Sequence, residues 1–109
     1  MIDALEKMLN GPRDGALLRF SLGNAYLQAE QPAKAAEYYR DAVTRDPNYS
    51  AAWKGLGKAL TAAGQPEAAL EAYQQGIVVA ETRGDKQAAK EMTVFAKRLT
   101  KALTPPTAE

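Results

Sequence analysis

The chain has 109 residues, 46% hydrophobic and 25% charged, with 14 basic and 13 acidic side chains for a net charge of +1. That suits one domain with a core, and it is too balanced for a general pull toward nucleic acid or an anionic membrane. Neither cysteine nor histidine occurs, which excludes disulfide, zinc-ribbon and thiol chemistry and removes the commonest general base and metal ligand.

The opening MIDALEKMLN is acidic and amphipathic and lacks the basic, then apolar, order of a signal peptide. No apolar run approaches membrane-spanning length, so the expected setting is the cytoplasm. A short helix is expected over residues 2–9. Leu18, Leu22, Ala25, Tyr26 and Ala29 then recur at helical spacing. Glu30-Gln31-Pro32 marks a turn, and Ala35, Tyr39, Ala42 and Val43 form a second helical stripe. Asp46-Pro47-Asn48 ends that helix, with Asn48 or Ser50 expected to cap the next.

The order then returns at a shift of 34. Leu56-Gly57 follows Leu22-Gly23, Gln65-Pro66 follows Gln31-Pro32, and Ala69, Tyr73 and Ile77 follow Ala35, Tyr39 and Val43. Gly64 suits the left-handed end of a helix, and Pro32 and Pro66 suit a first helical turn. The same shift places Leu5 on Tyr39 and Leu9 on Val43, so residues 2–9 match the second helix of a pair. A shift of 39 places Met92 on Trp53, Phe95 on Leu56, Ala96 on Gly57 and Leu99 on Leu60. A last helix is therefore expected over 85–103, with Gly84 as the stop before it and Asp85 as its N-cap. Residues 104–109, TPPTAE, are expected to be disordered.

Each unit thus reads as two antiparallel helices. Gly23, Gly57, Ala35 and Ala69 sit where helices cross closely, and Trp53, Tyr39 and Tyr73 fill the space beside them. One such pair cannot bury its apolar face, whereas stacked pairs can. The pattern resembles the tetratricopeptide repeat (TPR). The second unit matches through Trp53, Leu56, Gly57, Ala69 and Tyr73, and the first through Leu22, Gly23, Tyr26, Ala35, Tyr39, Ala42 and Pro47. The first departs at Arg19, where Leu18 is expected to fill in. The second departs at Leu60, Gly76 and Glu81. With Glu81 in place of a stopping proline, that helix should run on by about a turn.

The resemblance implies an all-α, right-handed α–α superhelix of antiparallel pairs, about six helices in all. It would be one domain over 1–103: a half-repeat at 2–9, repeats at 16–49 and 50–83, and a capping helix at 85–103. Both ends look finished, so a complete protein is expected rather than a fragment of a longer array. It also implies a non-enzymatic protein–protein interaction module that binds a peptide or helix of a partner in its concave groove. In the family's register the groove positions are Leu17, Phe20, Asn24 and Leu27, then Ala51, Lys54, Lys58 and Thr61. The capping helix would add Lys90, Thr93, Lys97 and Lys101. That surface is apolar at one end and basic at the other, which suits a partner with an acidic stretch beside apolar anchors. Leu17 is expected to be packed, whereas Phe20 is left open between packing and anchoring a partner. Trp53, Tyr26, Tyr39 and Tyr73 are expected in the core.

Heat-shock tail binders of this family use a clamp of lysine, asparagine, asparagine, lysine and arginine. Its positions here hold Phe20, Asn24 and Gly55, then Asp85 and Ala89, or Lys90 and Val94 across the insertion. The clamp is absent, so that activity is not expected. No acid–base constellation or phosphate loop suggests an enzyme, and no cofactor is implied. Two repeats would read too little RNA to be specific, so nucleic acid is not an expected partner. The alternative is self-assembly through the solenoid ends, with Val94 as the residue to watch and a monomer or weak homodimer as the state.

Overall fold

Six helices build residues 1–105, the part that the computed structural model describes. Short α1 (Ile2–Glu6) leads into α2 (Ala16–Gln28), α3 (Pro32–Arg45), α4 (Ser50–Ala62), α5 (Pro66–Arg83) and α6 (Lys86–Leu103). Among the described residues there is no strand and no helix long and apolar enough to cross a membrane. From 106 onward, the tail expected to be disordered lies outside the described residues. Consecutive helices pack together, and α2 touches α4 as α4 touches α6. This puts α2, α4 and α6 in one layer and α3 and α5 in the other. The Cα envelope of 57 × 30 × 18 Å is two helices thick in its narrow direction.

Three helix ends share one chemistry. Gln31, Gln65 and Asp85 donate their amides to the carbonyls of Tyr26, Leu60 and Ala80, five residues back. Inside each, Glu30, Gly64 and Gly84 donate to Leu27, Thr61 and Glu81. This double closure needs a left-handed residue, and φ is 61° at Glu30 and 77° at Gly64 and Gly84. Pro32 and Pro66 then open the next helices at a position that needs no amide donor. α5 has 18 residues against the 14 of α3, the extra turn expected where Glu81 replaces a proline.

The structure departs from expectation at the cap of α4, at Trp53 and in the length of α1. α4 is entered through Tyr49, with no side-chain cap from Asn48 or Ser50. Asn48 instead donates its amide to Asp46 Oδ1 (3.1 Å) in a side-chain turn. Trp53 Nε1 and Arg83 Nη1 donate to the carbonyls of Pro47 and Asn48, which hold the connection directly. Trp53 is accordingly half-buried rather than in the core. The helix expected over 2–9 stops at Glu6. Met8 and Leu9 close tighter turns onto Leu5 and Glu6, and Asn10 turns left-handed at φ 65°. α1 is held by Glu6 Oε2, which accepts from the hydroxyls of Tyr26 (2.6 Å) and Tyr38 (3.2 Å).

At Arg19, the departure from the family pattern, Leu18 is buried in the core as expected. Arg19 makes a two-pronged bond to Asp14 (Nε 3.0 Å, Nη2 2.7 Å) and reaches Asp41 at 3.1 Å. The Arg19 guanidinium and the Asn10 amide hold the Asp14 carboxyl well below the usual carboxylate range.

The core is organised by glycine slots. The ring of Tyr39, on α3, lies against Gly23 of α2 and Gly55 of α4, and a Cβ on either would fall under 3.0 Å from it. Gly57 admits Tyr73 in the same way, and Gly76 admits Met92 Sδ. Each mid-helix glycine gives up about 1 kcal/mol of helix propensity. Full burial of one large side chain returns roughly 2–3 kcal/mol. Tyr39, Leu22, Leu56 and Met92 are all fully buried as a result.

Two stability predictions follow directly from this packing. Glu30→Gly removes a side chain from a left-handed position and should raise unfolding free energy by about 1 kcal/mol in urea titration. Gly55→Ala should lower it by about 1–3 kcal/mol, because the added methyl meets a ring with no room to move.

Candidate functional site

Leu17, Phe20, Asn24 and Leu27 share one face of α2 by their spacing. Leu17 is 68% exposed, so the packing expected for it is not found. Glu6 draws α1 toward Tyr26, which lies nine residues along α2 from Leu17 and therefore on its opposite side. Phe20 is partly buried, its ring 4.8 Å from that of Tyr49 and 5.9 Å from that of Tyr39. Leu27 is partly buried and Asn24 exposed. Asn24 Oδ1 accepts a short hydrogen bond from the Tyr39 hydroxyl. Burial pushes that phenol up to about 12, so it stays protonated and donates. The NH₂ of Asn24 keeps both donors for a partner, while its Oδ1 has one of its two lone pairs engaged.

On α4, Lys54 Nζ pairs with Glu91 Oε1 of α6 at 2.8 Å. Lys58 is exposed and its ammonium lies 6.0 Å from the centre of the Phe95 ring, at the edge of cation–π range. Arg98 approaches the same ring at 5.8 Å, which also lies 5.5 Å from Tyr73. Thr61 spends its hydroxyl proton on the Gly57 carbonyl at 2.8 Å. Ala51 is exposed.

Lys97 is not brought to Lys54 and Lys58. It lines a separate cavity of about 600 Å³ with Lys90, Thr93 and Val94 of α6 and Glu81 of α5. The cause is Gly76. It leaves room for Met92 to be buried completely, deeper than Trp53, with which the 39-residue shift aligns it. α6 therefore presents Glu91 and Phe95 to α4 in place of Lys90 and Lys97. Glu91 was invisible as a groove residue because its offset of 37 from Lys54 has no counterpart in the repeat.

The surface can be set beside known proteins. The family profile described as tetratricopeptide repeat matches residues 20–89. A TPR repeat-containing protein of Pseudomonas aeruginosa is 54% identical over 104 residues, covering 95% of this chain and 99% of that one. A protein of Bordetella parapertussis, solved in solution, is 42% identical with a TM-score of 0.79, over 94% of this chain and 89% of that one. The first TPR of Spaghetti (RPAP3), solved bound to the HSP90 peptide SRMEEVD, shares the fold at a TM-score of 0.80 and 22% identity, over 94% and 76%.

The Lys54–Glu91 pair gives a titration prediction. The Lys54 hydrogen bond holds the Glu91 carboxyl below its ordinary value. A lowered carboxyl stabilises the fold above the unfolded value, about 4.3, and that contribution is lost as pH falls through the folded value. In Lys54→Met, the Glu91 side-chain resonance should titrate at higher pH than in wild type, back toward about 4.3, when followed by NMR.

Proposed function

Because the chain belongs to the tetratricopeptide repeat family, we propose that it is a protein–protein interaction module holding a peptide or helix of a partner on its α2–α4 face. The observation that carries this reading is the solvent-facing apolar stripe of α2, with Leu17 68% exposed and Phe20 half-covered beside it. An isolated exposed leucine needs no explanation, but a stripe at helical spacing does. Asn24 offers its NH₂ to the partner's backbone, and Phe20, Leu27 and Thr61 frame its side chains. Lys58 and Lys54 supply the positive end, weakened where Glu91 already neutralises Lys54. The partner that fits carries one or two apolar anchors and a modest acidic stretch.

The peptide bound by the Spaghetti TPR supports peptide recognition by this fold as a class. The heat-shock clamp itself does not carry over, since Phe20 and Gly55 stand at two of its positions. The reading includes no catalytic role and no cofactor, and a cytoplasmic, bacterial setting in keeping with the relatives. A second reading, self-association through the solenoid end, has Val94 at 43% exposure in its favour.

Affinity capture from a lysate of the source cell, compared between wild type and Leu17→Glu/Lys58→Glu, tests the first reading. Both substituted residues are exposed, so circular dichroism should be unchanged. A partner retained by wild type and depleted at least tenfold by the double variant, as expected for a desolvated anchor worth more than about 1.4 kcal/mol, is the predicted result. Identical capture sets would sink the α2–α4 face. Sedimentation of the purified chain decides the second reading.

A further inference from the structure

The two earlier helices of the first layer are each followed by a helix that lies on the outer flank: α3 on α2, and α5 on α4 with Tyr73 seated over Gly57. α6 has no such successor among the described residues, and the flank it leaves is not a plain polar cap. Its cavity of about 600 Å³ opens between α5 and α6, with Ala89 and Val94 among the residues that line it. Val94 is 43% exposed, and Val78, one turn before Glu81 on α5, is 61% exposed. Lys86, Lys90 and Lys97 line the cavity with Ala89 and Val94, and Glu81 is the one carboxylate among its lining residues.

The charge is concentrated here. α6 holds five cations (Lys86, Lys90, Lys97, Arg98, Lys101) against Glu91 alone, a net of +4 in a chain whose total is +1. Glu91 is turned to Lys54 of α4, so it does not neutralise the outer flank.

We propose that this flank is a second interaction surface, which takes an acidic amphipathic helix of a partner protein in the place a further repeat helix would occupy. Its aliphatic side chains would cover Ala89 and Val94, and its carboxylates would meet Lys86, Lys90 and Lys97. A helix of this kind already packs in the same relation within the chain. α5 has three glutamates, Glu67, Glu71 and Glu81, against Arg83, and it docks through its apolar stripe on α4. The site is separate from the α2–α4 face and does not depend on it.

The probe is a synthetic peptide of residues 65–83, titrated into the isotope-labelled full chain and followed by NMR. The expected result is saturable shifts at the amides of Ala89, Thr93 and Val94. Affinity should fall at least tenfold for Lys90→Glu/Lys97→Glu, and equally for a peptide with its three glutamates changed to glutamine. It should be unchanged for Leu17→Glu/Lys58→Glu, which separates this surface from the other one. No shifts at millimolar peptide, or equal affinity for Lys90→Glu/Lys97→Glu, would overturn the proposal. So would tighter binding of phosphatidylglycerol vesicles or duplex DNA than of the peptide. Dimerisation of the unliganded chain through Val94 would also overturn it, since a second copy would then hold the flank.

Discussion

The fold depends on a close approach that only glycine allows. Tyr39 extends from α3 between α2 and α4, and it fits because Gly23 and Gly55 present bare backbone to its ring. A side chain on either helix would push the first-layer helices apart and open the space that Leu22 and Leu56 fill. The slot also fixes the outer surface. With its ring held, the Tyr39 hydroxyl donates to Asn24 on the groove side of α2. One buried ring therefore sets both the spacing of the array and the chemistry left exposed on the α2–α4 face.

Much of this was legible in the chain because the repeat is gapless. Leu-Gly, Gln-Pro and the tyrosines recur at one interval, and local rules at Gly64, Gly84, Pro32, Pro66 and Asp85 supply the helix ends. Asp85 does accept the Ala88 amide, at 3.2 Å, as an N-cap should. What the chain did not disclose lies between units. Gly76 read as a mere departure from the family pattern, yet it admits Met92 and so decides which side of α6 meets α4. The change of interval from 34 to 39 before α6 left its register open, and the observed offset of 37 from Lys54 to Glu91 moves Lys97 from one surface to another. Leu17 read as packed, yet Glu6 draws α1 to the far side of α2 and leaves it exposed. The pull of two tyrosine hydroxyls on Glu6 is a tertiary effect with no local signature.

The polar network at the start of the array is of a different kind from its glycine core. Arg19 occupies a position where the family prefers an apolar side chain, and it is tolerated because Asp14 and Asp41 satisfy it from both sides. Removing either partner alone would leave the guanidinium short of acceptors in a site where its side chain is only 12% exposed. The first part of the described array is thus held by a charged cluster and two phenols, whereas α6 is a cationic helix.

α1 has five residues; Ile2 and Leu5 pack against the core, and the Glu6 carboxylate is shared by Tyr26 and Tyr38. An isolated helix that short has almost no stability of its own. Its position is therefore borrowed from the core it packs on and from the two phenols, and the opening turn works as a detachable plug. A designer could cut it away and graft a complete helix pair onto the uncovered face of α2. The array would then grow at its leading edge without disturbing either tyrosine slot.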